Sequence, residues 1–376
     1  MKSVIDEIIC LRENKGGTMY DNYSNRYSVV MNEKDGSKTS YYFSSPIYNM
    51  STHEIVELKF NNNNGDFYFS GSNAFINISD DIYIENEQWR CKLSIDTRNK
   101  SVSDKAIMIE NGVLYPTVNG IICKFNMNER ECISFELETD HPPMFAQNNG
   151  KYFALMEYKF TPSLTVSCIG CVDSDGNIIA PAEIMYEIIN DRKFRITIIP
   201  CFPKAQYLLF EINAYEKKLF YDTTVESMNP DVNNVFGGIA FIGTNKYCGE
   251  QWLYSKPDIS KLSGLFNANI NRLVMHIPKL DKSCISLSAY KVSERFCSFG
   301  SNWSNKVPED KFISYSRNSN CYYSIDITDY FVSQDSRKLA CNEGLIIRAD
   351  NTYGNFTVLS TSDSSFAPQI FEINYN

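Results

Sequence analysis

Between Asn269 and Tyr375 apolar residues recur at every second position in short runs, and this period limits the folds open to the chain more than any other feature. Leu273, Met275 and Ile277 form one run, Ile285 and Leu287 another, and Tyr323, Ile325 and Ile327 a third; Leu345 with Ile347 and Phe356 with Val358 complete the set. Successive side chains of a strand point to opposite faces, so a period of two gathers these residues on one buried face. Clusters of Gly, Pro, Asn, Asp and Ser between the runs supply the turns. Many short strands at close spacing predict a sandwich or barrel, and the expected class is all-β with antiparallel sheets.

The same texture extends upstream. Aromatic-rich runs cover Arg26–Met31, Ser40–Phe43, Glu54–Phe60, Asp66–Gly71 and Ala74–Ile78, and further strands are expected at Phe194–Ile199 and Gln206–Ile212. With 376 residues the chain exceeds one ordinary domain. The expected division is an N-terminal segment over 1–18, a β-rich domain over 19–127, a second β-rich unit over 128–235 and a sandwich over 236–376, with Met228–Asn234 as a polar linker. Asp173-Ser174-Asp175-Gly176-Asn177 starts like a calcium loop, but Ile178 stands at the sixth position and Ile184 at the twelfth, so an Asp-Gly hairpin turn is the better account. The oxygens of Asn62–Asp66 suit a polar turn as well as they suit a cation.

Charge and cysteine usage narrow the partners. A net charge of −9, with no block of Lys or Arg, argues against binding nucleic acid. No apolar stretch approaches the length that spans a bilayer, and Asp6 and Glu7 interrupt Met1–Arg12, which reads as a short amphipathic helix, not a signal peptide. Export is expected to be absent or unconventional. The 12 cysteines are scattered, as buried small hydrophobes would be. Cys168-Ile169-Gly170-Cys171 lies in a strand-like context, and His53, His141 and His276 are far apart in sequence, so no metal, cofactor or redox site is expected.

An ordered series of short motifs occupies the C-terminal part: Leu253-Tyr254-Ser255-Lys256-Pro257-Asp258-Ile259-Ser260-Lys261-Leu262, Ser301-Asn302-Trp303-Ser304-Asn305-Lys306-Val307-Pro308, Asp326-Ile327-Thr328-Asp329-Tyr330-Phe331-Val332, Asn342-Glu343-Gly344-Leu345-Ile346-Ile347, Thr357-Val358-Leu359-Ser360-Thr361-Ser362 and Ala367-Pro368-Gln369-Ile370-Phe371-Glu372-Ile373-Asn374-Tyr375. In this order they resemble the DNRLRE domain family, which implies a jelly-roll-like sandwich. Asp175-Gly176-Asn177, Ala180–Met185, Leu219–Thr224 and Ala240–Gly243 more weakly resemble the region preceding YD or RHS repeats in clostridial and bacillar surface proteins. The naming hexapeptide is absent, and Pro257 replaces the usual Phe. Because Pro cannot donate to a ladder, its strand is expected at an edge or with a bulge.

Some DNRLRE relatives are classed as carbohydrate-binding modules, so the resemblance implies recognition of a polysaccharide or cell-wall glycan. Such recognition needs outward aromatic platforms beside polar groups. Alternation in Cys321–Thr328 directs Tyr323, Ile325 and Ile327 inward and Tyr322, Ser324, Asp326 and Thr328 outward. The expected ligand-binding residues are Tyr322, Asp326, Tyr254, Trp252 and Trp303, with Trp303 and Asp326 doubling as structural anchors. No nucleophile elbow, phosphate loop, dinucleotide fingerprint or zinc helix is present, so a non-enzymatic role is expected over a polysaccharide-acting enzyme. The competing reading is a subunit of a phage tail, tailocin, toxin-delivery or surface assembly.

Overall fold

The computed structural model describes residues 8, 11–12, 18–20, 27–45, 47, 59–63, 66–70, 75–78, 81–85, 90–95, 99–103, 105–117, 120–128, 130–139, 144–148, 151–155, 164–214, 220–235, 237–258, 261–262, 265, 267–340, 342–350, 354–364 and 366–376. Nearly all of these lie in antiparallel strands or the turns between them, which is the expected all-β class. The chain forms two units. The first comprises Met1–Ile55, Lys218–Val235 and Ile239–Asn376; the second comprises Val56–Lys217 with Phe236–Gly238.

The first unit contains β1 (Thr18–Tyr20), β2 (Ser28–Asn32), β3 (Lys38–Phe43), β4 (Phe220–Glu226), β5 (Ile239–Asn245), β6 (Gly249–Pro257), β7 (Ile270–Pro278), β8 (Leu287–Val292), β9 (Glu309–Asn318), β10 (Tyr322–Asp326), the single-turn helix α1 (Thr328–Phe331), β11 (Leu345–Ala349), β12 (Phe356–Ser360) and β13 (Ile370–Tyr375). They pair in the order β1-β2-β3-β13-β7-β10-β9-β8-β11-β6-β5-β12, and β4 pairs with β6. β9 turns the corner of this curled sheet: its first part pairs with β8 and Ser316–Asn318 pair with β10. Two register shifts between β8 and β9 supply the bend, since a bulge kinks and twists the strand that carries it.

The two halves of the curl close on one core. Leu273, Met275, Ile277, Tyr323, Ile325, Ile327, Leu345 and Ile347 all lie in it, on the inward face expected from the alternation. β12 departs from the pattern. Leu359, not Phe356 or Val358, faces that core, while Phe356 packs on Phe241 with ring centroids 5.9 Å apart. Thr357, Val358, Leu359 and Ser360 are all fully buried, so both faces of β12 are covered and alternation cannot say which is inner.

The domain boundaries differ from expectation because long-range pairing overrides chain order. β3 joins β13 over six residue pairs, from Lys38↔Tyr375 to Phe43↔Ile370, and β4 lies along β6 from Phe220↔Pro257 to Glu226↔Gln251. The sandwich therefore needs strands before residue 236. Met228–Asn234 is no linker: Asn233 is buried and its Nδ2 donates to the carbonyls of Ser298 at 2.7 Å and Ser301 at 2.6 Å. β6 is not an edge strand either. Its middle pairs with β4 on one side and β11 on the other, and Pro257 is its last residue, beyond the β11 ladder, where the missing N–H costs little.

In the second unit, Gly120–Asn126 pairs with Tyr207–Ala214 and Ile133–Thr139 with Arg90–Ser94, so the expected boundary at 127/128 cuts through two sheets. The rings of Phe125 and Phe135 both stack on Phe210, at 5.7 and 5.3 Å, joining a seven-stranded and an eight-stranded sheet. The Asp173–Asn177 turn is a hairpin connection, with Gly176 at φ +88° and Asp173 Oδ1 accepting from the backbone N–H of Asp175 and Asn177. The expected N-terminal helix lies largely outside the described residues; Ile8, Leu11 and Arg12 of it are helical. His53, His141 and the tip of the Asn-rich loop also lie outside them.

Candidate functional site

One outer face of the curl is covered and the other is covered in part, and this decides which residues can meet a ligand. On the β3-β13-β10 side, Tyr41, Phe43, Tyr322, Ile370 and Val29 form a second cluster with Ile8 and Ile47. Tyr322 is only 2 % exposed there, so the expected glycan platform is a packing residue. A face read as solvent from its alternation is closed by segments distant in sequence.

On the opposite side, alternation directs Trp252 and Tyr254 of β6, Ile346 and Arg348 of β11, Tyr290 and Val292 of β8 and Phe312 of β9 away from the main core. Loop 293–308 folds over part of this face and lays Phe296 and Val307 against Tyr254, Val292, Ile346 and Val225. Gly344 makes room for Phe296: it sits at φ +121°, and a Cβ there would come within 2.6 Å of the ring. Tyr254, the second mistaken platform, is fully buried and its hydroxyl donates to the Val307 carbonyl at 2.5 Å. Burial pushes that phenol above its ordinary pKa. The loop is held from below by Asn233 and from the side by Ser304, whose N–H donates to the Pro230 carbonyl at 2.9 Å and whose Oγ donates to Asp231 at 2.7 Å.

What the loop leaves open is a contiguous line of rings. Trp303 meets Trp252 edge-on at 5.3 Å, Tyr290 meets Phe312 edge-on at 5.8 Å, and Phe312 lies 4.7 Å from Tyr315. The Arg348 guanidinium joins the two groups, 5.9 Å from the Trp252 centroid and 4.5 Å from that of Tyr290. Trp252, Trp303 and Tyr290 are half-buried, whereas Phe312 and Tyr315 are 41 % and 67 % exposed.

Polar groups frame these rings. Glu309 accepts two hydrogen bonds from Arg348, at 2.7 and 3.1 Å, fixing the guanidinium plane. Trp252 Nε1 donates to Glu250 at 2.8 Å. The Lys306 ammonium lies 3.7 Å from the Trp303 centroid and 5.2 Å from that of Trp252, and burial holds its pKa below the ordinary lysine value. The structure thus brings Trp252 and Trp303 together as expected. Tyr290 and Tyr315 are aromatics that lie near the expected platform in sequence, whereas Lys306, Arg348 and Phe312 escaped the sequence reading because their adjacency depends on strand order β6-β11-β8-β9. The signal within reach was the parity of Trp252 in β6.

Asp326 lies on β10, the neighbour of β9 on the other half of the curl, where its carbonyl accepts from Ser314 Oγ at 2.8 Å. Its Oδ1 accepts from the N–H and Oγ1 of Thr328 at 3.1 and 2.5 Å, and its Oδ2 from Arg272 at 3.3 Å. Partial burial pushes its pKa up, and these hydrogen bonds more than reverse it, leaving the carboxyl below its ordinary value. It anchors the start of α1.

A serine, a histidine and a carboxylate also form a chain: His276 Nδ1 lies 2.8 Å from Ser324 Oγ and Nε2 lies 3.1 Å from Glu372 Oε2. His276 and Glu372 are 6 % and 7 % exposed and sit on paired strands, whose ladders engage the backbone N–H groups that an oxyanion would need. The chain satisfies buried polar groups. Cys171 of the CxxC is buried on a strand with its thiol pKa raised by desolvation, the opposite of an activated thiolate. Among the described residues no helix is long and apolar enough to cross a membrane.

No family model matches the chain, and no curated protein does. Among solved structures, an exo-β-1,3-galactanase from Phanerochaete chrysosporium with galactose aligns at a TM-score of 0.15 and 9 % identity over 89 % of this chain and 100 % of that one, a likeness that carries no argument.

Proposed function

We propose that this protein is a non-enzymatic glycan-binding protein that takes its ligand on the outer face of β6, β11, β8 and β9. The observation that carries this reading is the ring line Trp303-Trp252-Tyr290-Phe312-Tyr315 with Arg348 set among the rings. Flat apolar rings suit the C–H faces of sugars, and fixed donors and carboxylates beside them suit hydroxyls. The resemblance to DNRLRE modules supports the same reading. Lys306 and Arg348 supply donors, Glu250 and Glu309 acceptors, and the sheet holds Arg348, Glu250 and Glu309 with little ordering left to do on binding.

Phe312→Ala tests it. Retention on polysaccharide affinity gels should fall several-fold, as loss of about 1 kcal/mol of ring contact predicts. Absence of wild-type retention on any polymer of a broad neutral and acidic panel would overturn the proposal.

Assembly remains the second reading, favoured by one observation in the second unit. Met185, Ile188 and Ile189 of the strand Ala182–Asn190 are 56 %, 61 % and 41 % exposed, and exposed apolar groups gathered on one strand mark a protein contact. Sedimentation of the purified protein distinguishes the two, since an assembly subunit self-associates or copurifies with its neighbour.

A further inference from the structure

The ring line is long, and its length restricts what can fill it. It crosses β9, β8, β11 and β6, three inter-strand gaps or about 14 Å, with Trp252, Arg348 and Tyr315 in one cross-strand row and Tyr290 and Phe312 in the next. Tyr315 lies beside Phe312 on β9, 4.7 Å away and opposite Ser288, and Trp303 lies 5.3 Å from Trp252 at the other end. Neighbouring rings stand edge-on or tilted, so faces and edges alternate along the line, and each ring is separately supported. Trp303 is seated by loop 293–308, and Trp252 by its hydrogen bond to Glu250. Tyr290 is seated by the Arg348–Glu309 pair, Phe312 by the edge of Tyr290.

We infer that the ligand is a run of consecutive sugar residues within an extended polysaccharide, laid across the strands from Tyr315 to Trp303, and not a single or chain-terminal sugar. This deepens the glycan reading and depends on it. A monosaccharide would cover one ring and leave the others in water; an extended chain covers them in turn, so each added residue meets a further platform. Arg348, midway along and held flat by Glu309, offers its remaining N–H donors to whichever residue spans the gap between Trp252 and Tyr290.

The experiment uses the full-length protein and ladders of cello-, xylo- and galacturono-oligosaccharides, from mono- to hexasaccharide, competing against the parent polymers in affinity gels and titrated by calorimetry. Affinity for the ladder whose polymer is retained should climb with each residue over the span of the ring line and then level off, with the monosaccharide too weak to compete. Tyr315→Ala should lower affinity for the longest oligosaccharides several-fold and leave the shortest unchanged, because it removes a ring only at the β9 end. Equal affinity for monosaccharide and polymer, or an equal loss at every length in Tyr315→Ala, overturns the extended-chain inference while leaving glycan binding intact. Failure to retain any polymer of the broad panel, these three among them, overturns it together with the reading on which it rests. Melting temperatures of both proteins, expected to coincide, separate loss of contact from loss of fold.

Discussion

Tyr322 and Tyr315 are both tyrosines on strands of the curl, yet burial assigns them opposite roles. Tyr322 is 2 % exposed among Val29, Tyr41, Phe43 and Ile370, so Tyr322→Ala should destabilise the protein by about 3 kcal/mol or more through the cavity it leaves, read as a lower denaturant midpoint. Tyr315, at 67 % exposure, should change stability by no more than about 0.5 kcal/mol when truncated. Asp326 sets a pH dependence. Its folded pKa lies below the ordinary carboxylate value, so its ionised form favours the folded state. That stability is fully present above the unfolded pKa near 3.8 and is lost as pH falls through the lower folded one. Asp326→Asn should therefore be less stable than wild type at neutral pH, with the gap closing in acid. Denaturant midpoints measured down the pH scale check this, and a gap that persists below both pKa values would contradict it.

At the scale of elements, β3 and β4 matter most because each completes a ladder with a strand far away in sequence. Phe220 of β4 stacks on Phe371 of β13 at 4.5 Å, and both rings lie in the main core. A fragment beginning at residue 233 removes β1 to β4. It should lack a cooperative melt, since it exposes the β13 and β6 ladders and leaves holes where Tyr42 and Phe220 sat. A fragment that melts cooperatively with the native near-ultraviolet spectrum would show those strands to be dispensable. Gly344 is a second element-scale control. Gly344→Ala meets both a left-handed φ and the Phe296 ring, and should lower stability by more than about 1 kcal/mol while loosening loop 293–308 over Tyr254.

For the whole molecule, stability comes from packing faces of sheets. Cys123, Cys132, Cys171, Cys284 and Cys297 are free thiols. Reductant should leave the melting temperature unchanged; a drop would reveal a bridge among the other cysteines. The first unit is discontinuous in sequence, with 56–217 lying between two of its parts. Its ladders therefore carry long sequence separations, and slow refolding is expected, measurable by stopped-flow fluorescence of Trp252 and Trp303.

The sequence by itself determined the class, the strand parity and much of the inner core. Period-two runs such as Leu273-Met275-Ile277 and Tyr323-Ile325-Ile327 are local signals, and a strand's two faces follow from backbone geometry alone. It also told the hairpin turn at Asp173–Asn177 from a calcium loop, because turn chemistry is local too. Only the tertiary structure decided which of the outward residues stay outward. Tyr322 and Trp252 both carry the outward parity of their strands, but one is covered by Val29, Tyr41 and Ile8 and the other borders the open ring line. Covering depends on partners hundreds of residues away. The neighbours of Trp252 depend likewise on a strand order that loop closure and ladder pairing fix only when the chain is folded.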